Sequence, residues 1–357
     1  MGGVSEPAIP ESLDERFLQA AVVQARRGVG RTSPNPAVGA VIVGGQGNRI
    51  IGSGWHRRVG LPHAEIEALR SLAQPSLVRG ATLYVTLEPC STHGRTPPCT
   101  QAILDAGLRR VVIGTLDPNP AHAGRGVELL RSAGVEVRVG VLEEECRRLN
   151  LGFNHWIVTR MPWVIAKAGM SLDGRLSRPP DAPRWITNAA SRADTHRLRS
   201  QVDAILIGGG TLRADNPQLN VRGLEPEEMA DRPQPWRVIV SQTGNLPPES
   251  AVFTDEHRER TLVFTGRPLR EVLAELGQRG VTSVLIEGGM RVLGEAFDER
   301  LVHQVCFYVA PLLLGGPVLV TGGQGVGSSA DAPRIVNPTY ERFGDDVRML
   351  GDVEYPG

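Results

Sequence analysis

Apolar positions in the first half of the chain alternate between helical spacing and short unbroken runs. Phe17, Leu18, Ala21, Val22 and Ala25 share one helical face behind the capping box Ser12-Leu13-Asp14-Glu15, and Gly28 ends the segment. Residues 37–43 form an unbroken run of small apolar side chains. The glycine-rich residues 44–48 then predict a hairpin turn, and 49–55 the return strand. Pro34 and Pro36 predict an extended loop just before this hairpin. Runs at 81–87, 109–114 and 135–141 predict three more strands, separated by helices opening at His63 and covering 99–107, 126–133 and 142–151. A hairpin followed by strands alternating with helices predicts a three-layer α/β/α sheet.

Residues 150–160 read as a linker ending at Met161-Pro162, after which the α/β style resumes with no repeat of the first half. Strands are expected at 163–168, 204–207, 236–240, 262–264, 283–286 and 302–310, and helices at 191–199, 269–277 and 292–297. Residues 310–316 read as a buried strand and turn, and 225–231 as a variable surface loop. A chain of 357 residues accommodates about two domains.

Charge and composition narrow the function. Lys plus Arg balance Asp plus Glu at 39 each, which argues against a general nucleic-acid binder. Aromatics at 4% leave too few rings for a base-stacking surface. Four cysteines, Cys90, Cys99, Cys146 and Cys306, do not make a disulfide framework, so a reducing cytoplasm is expected. No signal peptide and no membrane-length apolar run is expected, and the first residues fit a myristoylation pattern only loosely.

The chemistry concentrates between His63 and Cys99. His63-Ala64-Glu65, Glu88-Pro89-Cys90 and Pro97-Pro98-Cys99 supply one imidazole, two thiols and a carboxylate two positions after the imidazole. That is a three-ligand zinc set with a carboxylate for the proton transfers of hydrolysis, the pattern of zinc deaminases. The alternatives are a closed structural site with His93 as fourth ligand, or unpaired buried thiols. In the second half, residues 207–211 and 285–289 place glycines between a strand and a helix start, which suits a phosphate-bearing ligand. Neither G-x-G-x-x-G nor a Walker A pattern is present.

TSPNPAVGAVIV, GWH followed by HAE, and TLEPCSTHGRTPPC resemble the deaminase domain of the bifunctional riboflavin-biosynthesis deaminase/reductase family, over most of residues 15–150. The eight residues between Cys90 and Cys99 exceed the short P-C-x-x-C gap of nucleoside deaminases and are similar to that family's insert. The resemblance implies a cytidine-deaminase-like domain at 1–155, with His63, Cys90 and Cys99 on Zn2+ and Glu65 as general acid/base. Asn35 would hydrogen-bond the base, or else serve only as a turn residue. His56 is either a pocket or a surface histidine, and His93 and Arg95 either touch substrate or fill out the insert. Cys146 reads as a packed or surface helical residue, His122 and His155 as structural.

AKAGMSLDGR, RWIT, LIGGGTLRADNPQLNVR and LIEGG resemble the family's reductase domain, whose fold is similar to dihydrofolate reductase. For residues 160–357 this implies NADPH held by Gly169, Trp185, Thr211 and Asp215 and by the stretch Gly289, Met290, Arg291, Val292, Leu293, Gly294 and Glu295. Substrate would lie against Arg199, Leu219, Arg222 and Glu287, the arginines suiting a ribose 5-phosphate. Lys167 and Asp215 would flank the reacting centre; otherwise they are a surface lysine and a turn-capping aspartate. Thr92, Pro183 and Ser241-Gln242 depart from the family pattern. The implied activity is zinc-dependent hydrolytic deamination of 2,5-diamino-6-(5-phosphoribosylamino)pyrimidin-4-one, then NADPH-dependent reduction of ribosyl to ribityl, in a cytoplasmic dimer or tetramer without nucleic-acid or membrane partners. The alternatives are a tRNA or free-nucleobase deaminase fused to an unrelated nucleotide-binding domain, and a zinc-stabilised binding module.

Overall fold

The structure is a computed structural model that describes residues 12–44, 49–92, 97–176 and 185–357. The chain divides into two compact units, Met1–Thr159 and Arg160–Gly357. The turn expected at 44–48 lies outside the described residues from 45 onward, as do His93, Arg95 and Pro183.

The first unit begins with α1 (Leu13–Arg26), whose Ser12 and Glu15 form the expected capping box. It continues with β1 (Gly39–Gly44), β2 (Arg49–Trp55), α2 (Ala64–Arg70), β3 (Thr82–Leu87) and α3 (Cys99–Asp105). Then come β4 (Arg110–Thr115), α4 (Arg125–Ser132), β5 (Glu136–Val139), α5 (Glu143–Arg148) and α6 (Leu151–Thr159). The sheet order is β2-β1-β3-β4-β5, with β1 antiparallel to β2 and β3, and β3, β4 and β5 parallel.

Side-chain alternation divides the core. Ala40, Ile42, Leu83, Val85, Val111 and Ile113 face α2, α3 and α4. Val41, Val43, Tyr84 and Val112 face α1 and α5, where Cys146 is fully buried. This is the expected three-layer sandwich. Asp14, in the first turn of α1, accepts from Arg110 at 2.7 and 2.9 Å, Arg138 at 2.6 Å and Tyr84 at 3.0 Å. Arg110 leads the effects that hold the Asp14 carboxyl down at about 2, so it stays ionised and ties α1 to three strands.

Two local expectations change. Residues 142–151 are not one helix: α5 stops at Arg148, and α6 occupies the stretch expected to be linker. Between them Asn150 turns inward. Its Oδ1 accepts from the Ala37 N–H at 2.7 Å and its Nδ2 donates to the Ala37 carbonyl at 2.9 Å, replacing a strand partner at the entrance to β1. The Pro34-Asn35-Pro36 loop is a tight turn closed by the Asn35 N–H on the Thr32 carbonyl at 2.8 Å. A proline fixes only its own φ near −65°, which suits a turn as well as an extended chain.

The second unit contains β6 (Trp163–Ser171), α7 (Ala189–Ser200), β7 (Ala204–Gly208), α8 (Gly209–Asp215), α9 (Pro226–Met229), β8 (Trp236–Ser241) and α10 (Ala251–Thr254). It ends with β9 (Thr261–Thr265), α11 (Leu269–Gln278), β10 (Ser283–Ile286), α12 (Met290–Asp298), β11 (Gln304–Ala310), β12 (Arg334–Phe343) and β13 (Asp346–Glu354). The sheet order is β12-β13-β11-β6-β10-β7-β8-β9. The six strands from β11 to β9 are parallel, and the hairpin β12–β13 joins antiparallel at β11. Helices α11 and α12 cover one face and α7, α8 and α10 the other.

The chain leaves β10 toward β11 on one side of the sheet and leaves the neighbouring β7 toward β8 on the other. Loops that part in this way open a crevice at the carboxyl ends of the two strands.

Here too the structure corrects the pattern. Residues 311–316 are not a buried strand: Leu312 and Leu313 are exposed, and β11 ends at Ala310 because Pro311 has no N–H to extend the ladder. Asp173 instead takes up the N–H groups of Leu314 at 3.1 Å and Gly315 at 2.8 Å. The glycines at 208–210 begin α8 directly. The surface loop at 225–231 contains the short α9. No helix among the described residues is long and apolar enough to cross a membrane.

Candidate active sites

In the first unit, helix starts and a strand end bring three ligand atoms together. His63 is the N-cap residue of α2, Cys99 is the first residue of α3, and Cys90 follows β3. The His63 Nδ1 lies 3.3 Å from Cys99 Sγ and 3.6 Å from Cys90 Sγ. Bond lengths of about 2.05 and 2.3 Å at tetrahedral angles put a nitrogen and a sulfur on one zinc about 3.5 Å apart. Both nitrogen–sulfur edges therefore already match a zinc site, and all three ligand atoms lie within 4.8 Å of one another.

The surrounding charges favour thiolate. The Cys99 thiol and then His63 stabilise the Cys90 sulfur, which falls to about 4; the Cys99 N–H also donates to it at 3.3 Å. Cys99 keeps the proton of the pair and is pushed up. Hydrogen bonding to the Cys90 sulfur in turn raises His63, against the opposing effect of burial. A dication in their midst would make both sulfurs thiolates.

Glu65 is the second residue of α2, so the helix that presents His63 also presents the carboxylate. It is 3% exposed, and burial, aided by the Cys90 charge, pushes it up to about 7. Asn35 reaches the same centre through His56. The His56 ring packs edge-on to His63 at 5.3 Å, and burial lowers its affinity for a second proton. A neutral His56 must donate from Nδ1 to the Pro62 carbonyl at 3.0 Å, so its Nε2 accepts from Asn35 Nδ2 at 3.2 Å. His56 is buried, which rules out a surface histidine.

Glu88 carries a role that its place in the motif did not reveal. Its buried carboxylate accepts from the N–H groups of Gly126 at 2.8 Å, Gly124 at 2.9 Å and Val127 at 3.3 Å at the start of α4, and from that of Asp117, just after β4, at 3.2 Å. A Cβ on Gly126 would lie 2.4 Å from the Pro89 carbonyl, so the strand end carrying Cys90 is seated directly on that helix. Thr100 holds the Cys90 carbonyl from the other side, through N–H at 3.2 Å and hydroxyl at 3.3 Å. Thr92 is exposed.

In the second unit, a cleft of 1380 Å³ lies at the carboxyl ends of β6, β10, β7 and β8. It collects Lys167, Gly169, Trp185, Arg199, Thr211, Asp215, Leu219, Arg222 and Glu287, together with Gly289, Met290, Arg291, Val292 and Glu295. Leu293 and Gly294 do not line it. Both are buried on the far side of α12, where a Cβ on Gly294 would meet the backbone of Gly322 and Gly323. Glu295 faces the cleft but spends Oε1 on the Leu269 N–H at 2.9 Å.

The glycine loops after β7 and β10 touch. Gly289 has φ +93°, and a Cβ there would lie 2.9 Å from Thr211 Oγ1. Arg192, Arg213 and Arg267 also face the cleft, making seven cationic side chains against three carboxylates, which favours an anionic ligand. Trp185 is half exposed, and the Arg192 guanidinium stacks 5.0 Å from its ring.

Glu287 is the electrostatic centre. Arg199 grips it with two bonds of 2.5 and 2.8 Å and donates a third to the Asn220 carbonyl at 3.1 Å, while Lys167 Nζ lies 3.8 Å away. Burial alone would raise Glu287; the two cations outweigh it and hold the carboxyl at about 2. Arg199 is thus largely committed inside the protein. Arg222 is exposed and donates to Asn220 Oδ1 at 2.6 Å.

Residues 11–115 match the family described as cytidine and deoxycytidylate deaminase zinc-binding region, and residues 162–348 match the RibD C-terminal domain. The riboflavin biosynthesis protein RibD of Bacillus amyloliquefaciens is 37% identical over 94% of this chain and 95% of its own. The structure of Acinetobacter baumannii RibD superposes with a TM-score of 0.87 at 36% identity, over 96% of this chain and 99% of that one. The diaminohydroxyphosphoribosylaminopyrimidine deaminase/5-amino-6-(5-phosphoribosylamino)uracil reductase of Thermotoga maritima gives 0.84 at 35% identity, with the same coverage. The chain belongs to the RibD family of riboflavin-biosynthesis proteins, in which a zinc deaminase domain is followed by a reductase domain.

Proposed function

We propose that the first unit hydrolyses the exocyclic amine of a diaminopyrimidinone carrying ribose 5-phosphate, and that the second reduces the ribosyl side chain of the product to ribityl with NADPH. The observation that carries this reading is the pairing of a zinc-shaped triad beside a buried carboxylate with a cationic switch-point cleft. His63, Cys90 and Cys99 would hold zinc, which when bound supplies a Lewis acid that acidifies water. Glu65 takes one proton from the attacking water and delivers it to the ring nitrogen, then takes the second from the hydroxyl so added to carbon and gives it to the amino group, which leaves as ammonia. Asn35, oriented by His56, accepts a hydrogen bond from the base.

In the second unit NADPH would lie across the glycine loops, with Gly169, Trp185, Thr211, Asp215 and the cleft face of α12 around it, and it supplies the hydride. Arg222 holds the phosphate and Leu219 packs against the substrate. Lys167 and Glu287, with Arg199 behind them, fix the charge beside the sugar's C1′, and Asp215 flanks the same centre. We also propose a homo-oligomer in the reducing cytoplasm. The four thiols are free, and β12 is a long exposed edge of the kind that a second copy covers; sedimentation as a single protomer would contradict this.

Chelation tests the division of labour. Stripping zinc from the whole protein should abolish ammonia release and leave NADPH oxidation with the deaminated substrate unchanged. Ammonia release that survives complete zinc removal would refute the first half of the reading.

A further inference from the structure

Of the 39 basic residues in the chain, 38 are arginine and one is lysine, Lys167. Guanidinium serves wherever else the protein uses a fixed cation, in the bidentate pair Arg199–Glu287 and even in the fully buried Arg237, bonded to Asp255 at 2.7 Å. A guanidinium keeps its proton in proteins and is no nucleophile, whereas an amine exchanges its proton and attacks carbonyl carbon. The chain therefore retains its single side-chain amine at one place, on β6 in the wall of the cationic cleft. That side chain is 17% exposed and lies 5.8 Å from the Tyr308 ring centroid. Burial leads the effects that lower the Lys167 pKa, with the Arg199 charge adding to it and Glu287 opposing.

We propose that Lys167 is a reversible carbonyl-condensation site, whose amine forms an imine with the aldehyde carbon of open-chain aldoses bearing a terminal phosphate. The proposal rests on the reading of this cleft as a sugar-phosphate site. The Nζ lone pair adds to the aldehyde carbon while the carbonyl oxygen takes up a proton, giving a carbinolamine. Nitrogen then sheds a proton to solvent, the hydroxyl takes up a second proton and leaves as water, so amine, aldehyde and one proton become a cationic imine and water with no oxidant or reductant consumed. Glu287, 3.8 Å from Nζ and held ionised, stabilises the cationic imine, and Arg222 at the rim selects for the phosphate. An aldose phosphate bound in this way would occupy the hydride-accepting position and shut the cleft to substrate.

The single lysine makes the test direct. The full chain is incubated with ribose 5-phosphate, reduced with borohydride, and analysed by intact mass and peptide mapping. The N-terminal amine is the only competing primary amine. One adduct per chain is expected on the Lys167 peptide, at least about tenfold weaker with unphosphorylated ribose, and lost in Lys167→Arg. Label confined to the N-terminus, or equal label from the two sugars, would overturn the proposal, and both results come from the wild-type chain whether or not the variant folds. NADPH oxidation, assayed in the same preparation, separates the two readings. Labelled Lys167 without NADPH oxidation upholds the condensation site and removes the reductase assignment; oxidation without label does the reverse.

Discussion

Glu65→Gln should lower ammonia release by about 10²- to 10⁴-fold, the range for loss of a positioned acid/base, while zinc content stays at the wild-type level. The two halves of this outcome have separate causes. Glutamine matches glutamate in shape, so the second position of α2 and its packing are kept, but an amide cannot take a proton from water and hand it on. Glu65 is not among the atoms that converge as ligands, which are those of His63, Cys90 and Cys99. Metal should therefore remain, and metal analysis beside an ammonia assay checks both. Retained deamination would remove Glu65 from the chemistry, and loss of zinc would make it part of the metal site.

Glu287→Gln should destabilise the second unit by about 3–5 kcal/mol, the usual cost of breaking a buried ion pair from one side. The substitution leaves Arg199 and Lys167 as neighbouring buried cations without the carboxylate that both face. The melting temperature should fall by on the order of 10 °C, and NADPH oxidation with the deaminated substrate by at least about 100-fold. The pH dependence follows from the depressed carboxyl. Its folded value, about 2, lies below the ordinary 4.5, so the stabilisation is complete above the unfolded value and is lost as pH falls toward 2. The stability gap between wild type and variant should thus be constant near neutrality and close between about pH 4 and 2. Denaturant unfolding at several pH values measures it, and a gap that widens with acid would contradict the charge arrangement.

What was legible in the sequence depended on how each residue acts. His63, Cys90 and Cys99 were readable as a candidate metal triad, and Glu65 as the carboxylate beside it, because side-chain type and spacing alone carry that pattern. Glu88, Asn150 and His56 were less so, because they work by holding backbone N–H groups, a strand entrance and another side chain, and their partners are distant in sequence. The central parallel strands β7 and β10 announced themselves as short apolar runs. The hairpin β12–β13 did not: its first strand carries Pro338 at a bulge, where the register slips between Val336 and Thr339. Leu312 and Leu313 show the reverse error, since an apolar run states composition and not burial. In the second cleft, the stretch from Gly289 to Glu295 was assigned to the cofactor as a block. A helix offers only one face to a ligand, and α12 turns Leu293 and Gly294 into the core. Arg199 was placed against the substrate by resemblance; the sequence could not show that it bonds Glu287 twice and the Asn220 carbonyl once.

The central claim is that one chain performs a hydrolysis and then a reduction on the same molecule. Its most direct test is to incubate the purified protein with the diaminopyrimidinone ribosyl phosphate, with and without NADPH, and to follow the product by mass spectrometry. Without NADPH the product should have exchanged one amino group for an oxo group and nothing more; with NADPH it should also have gained two hydrogens on the sugar side chain. An unchanged substrate, or hydrogens gained without loss of the amino group, would contradict the account.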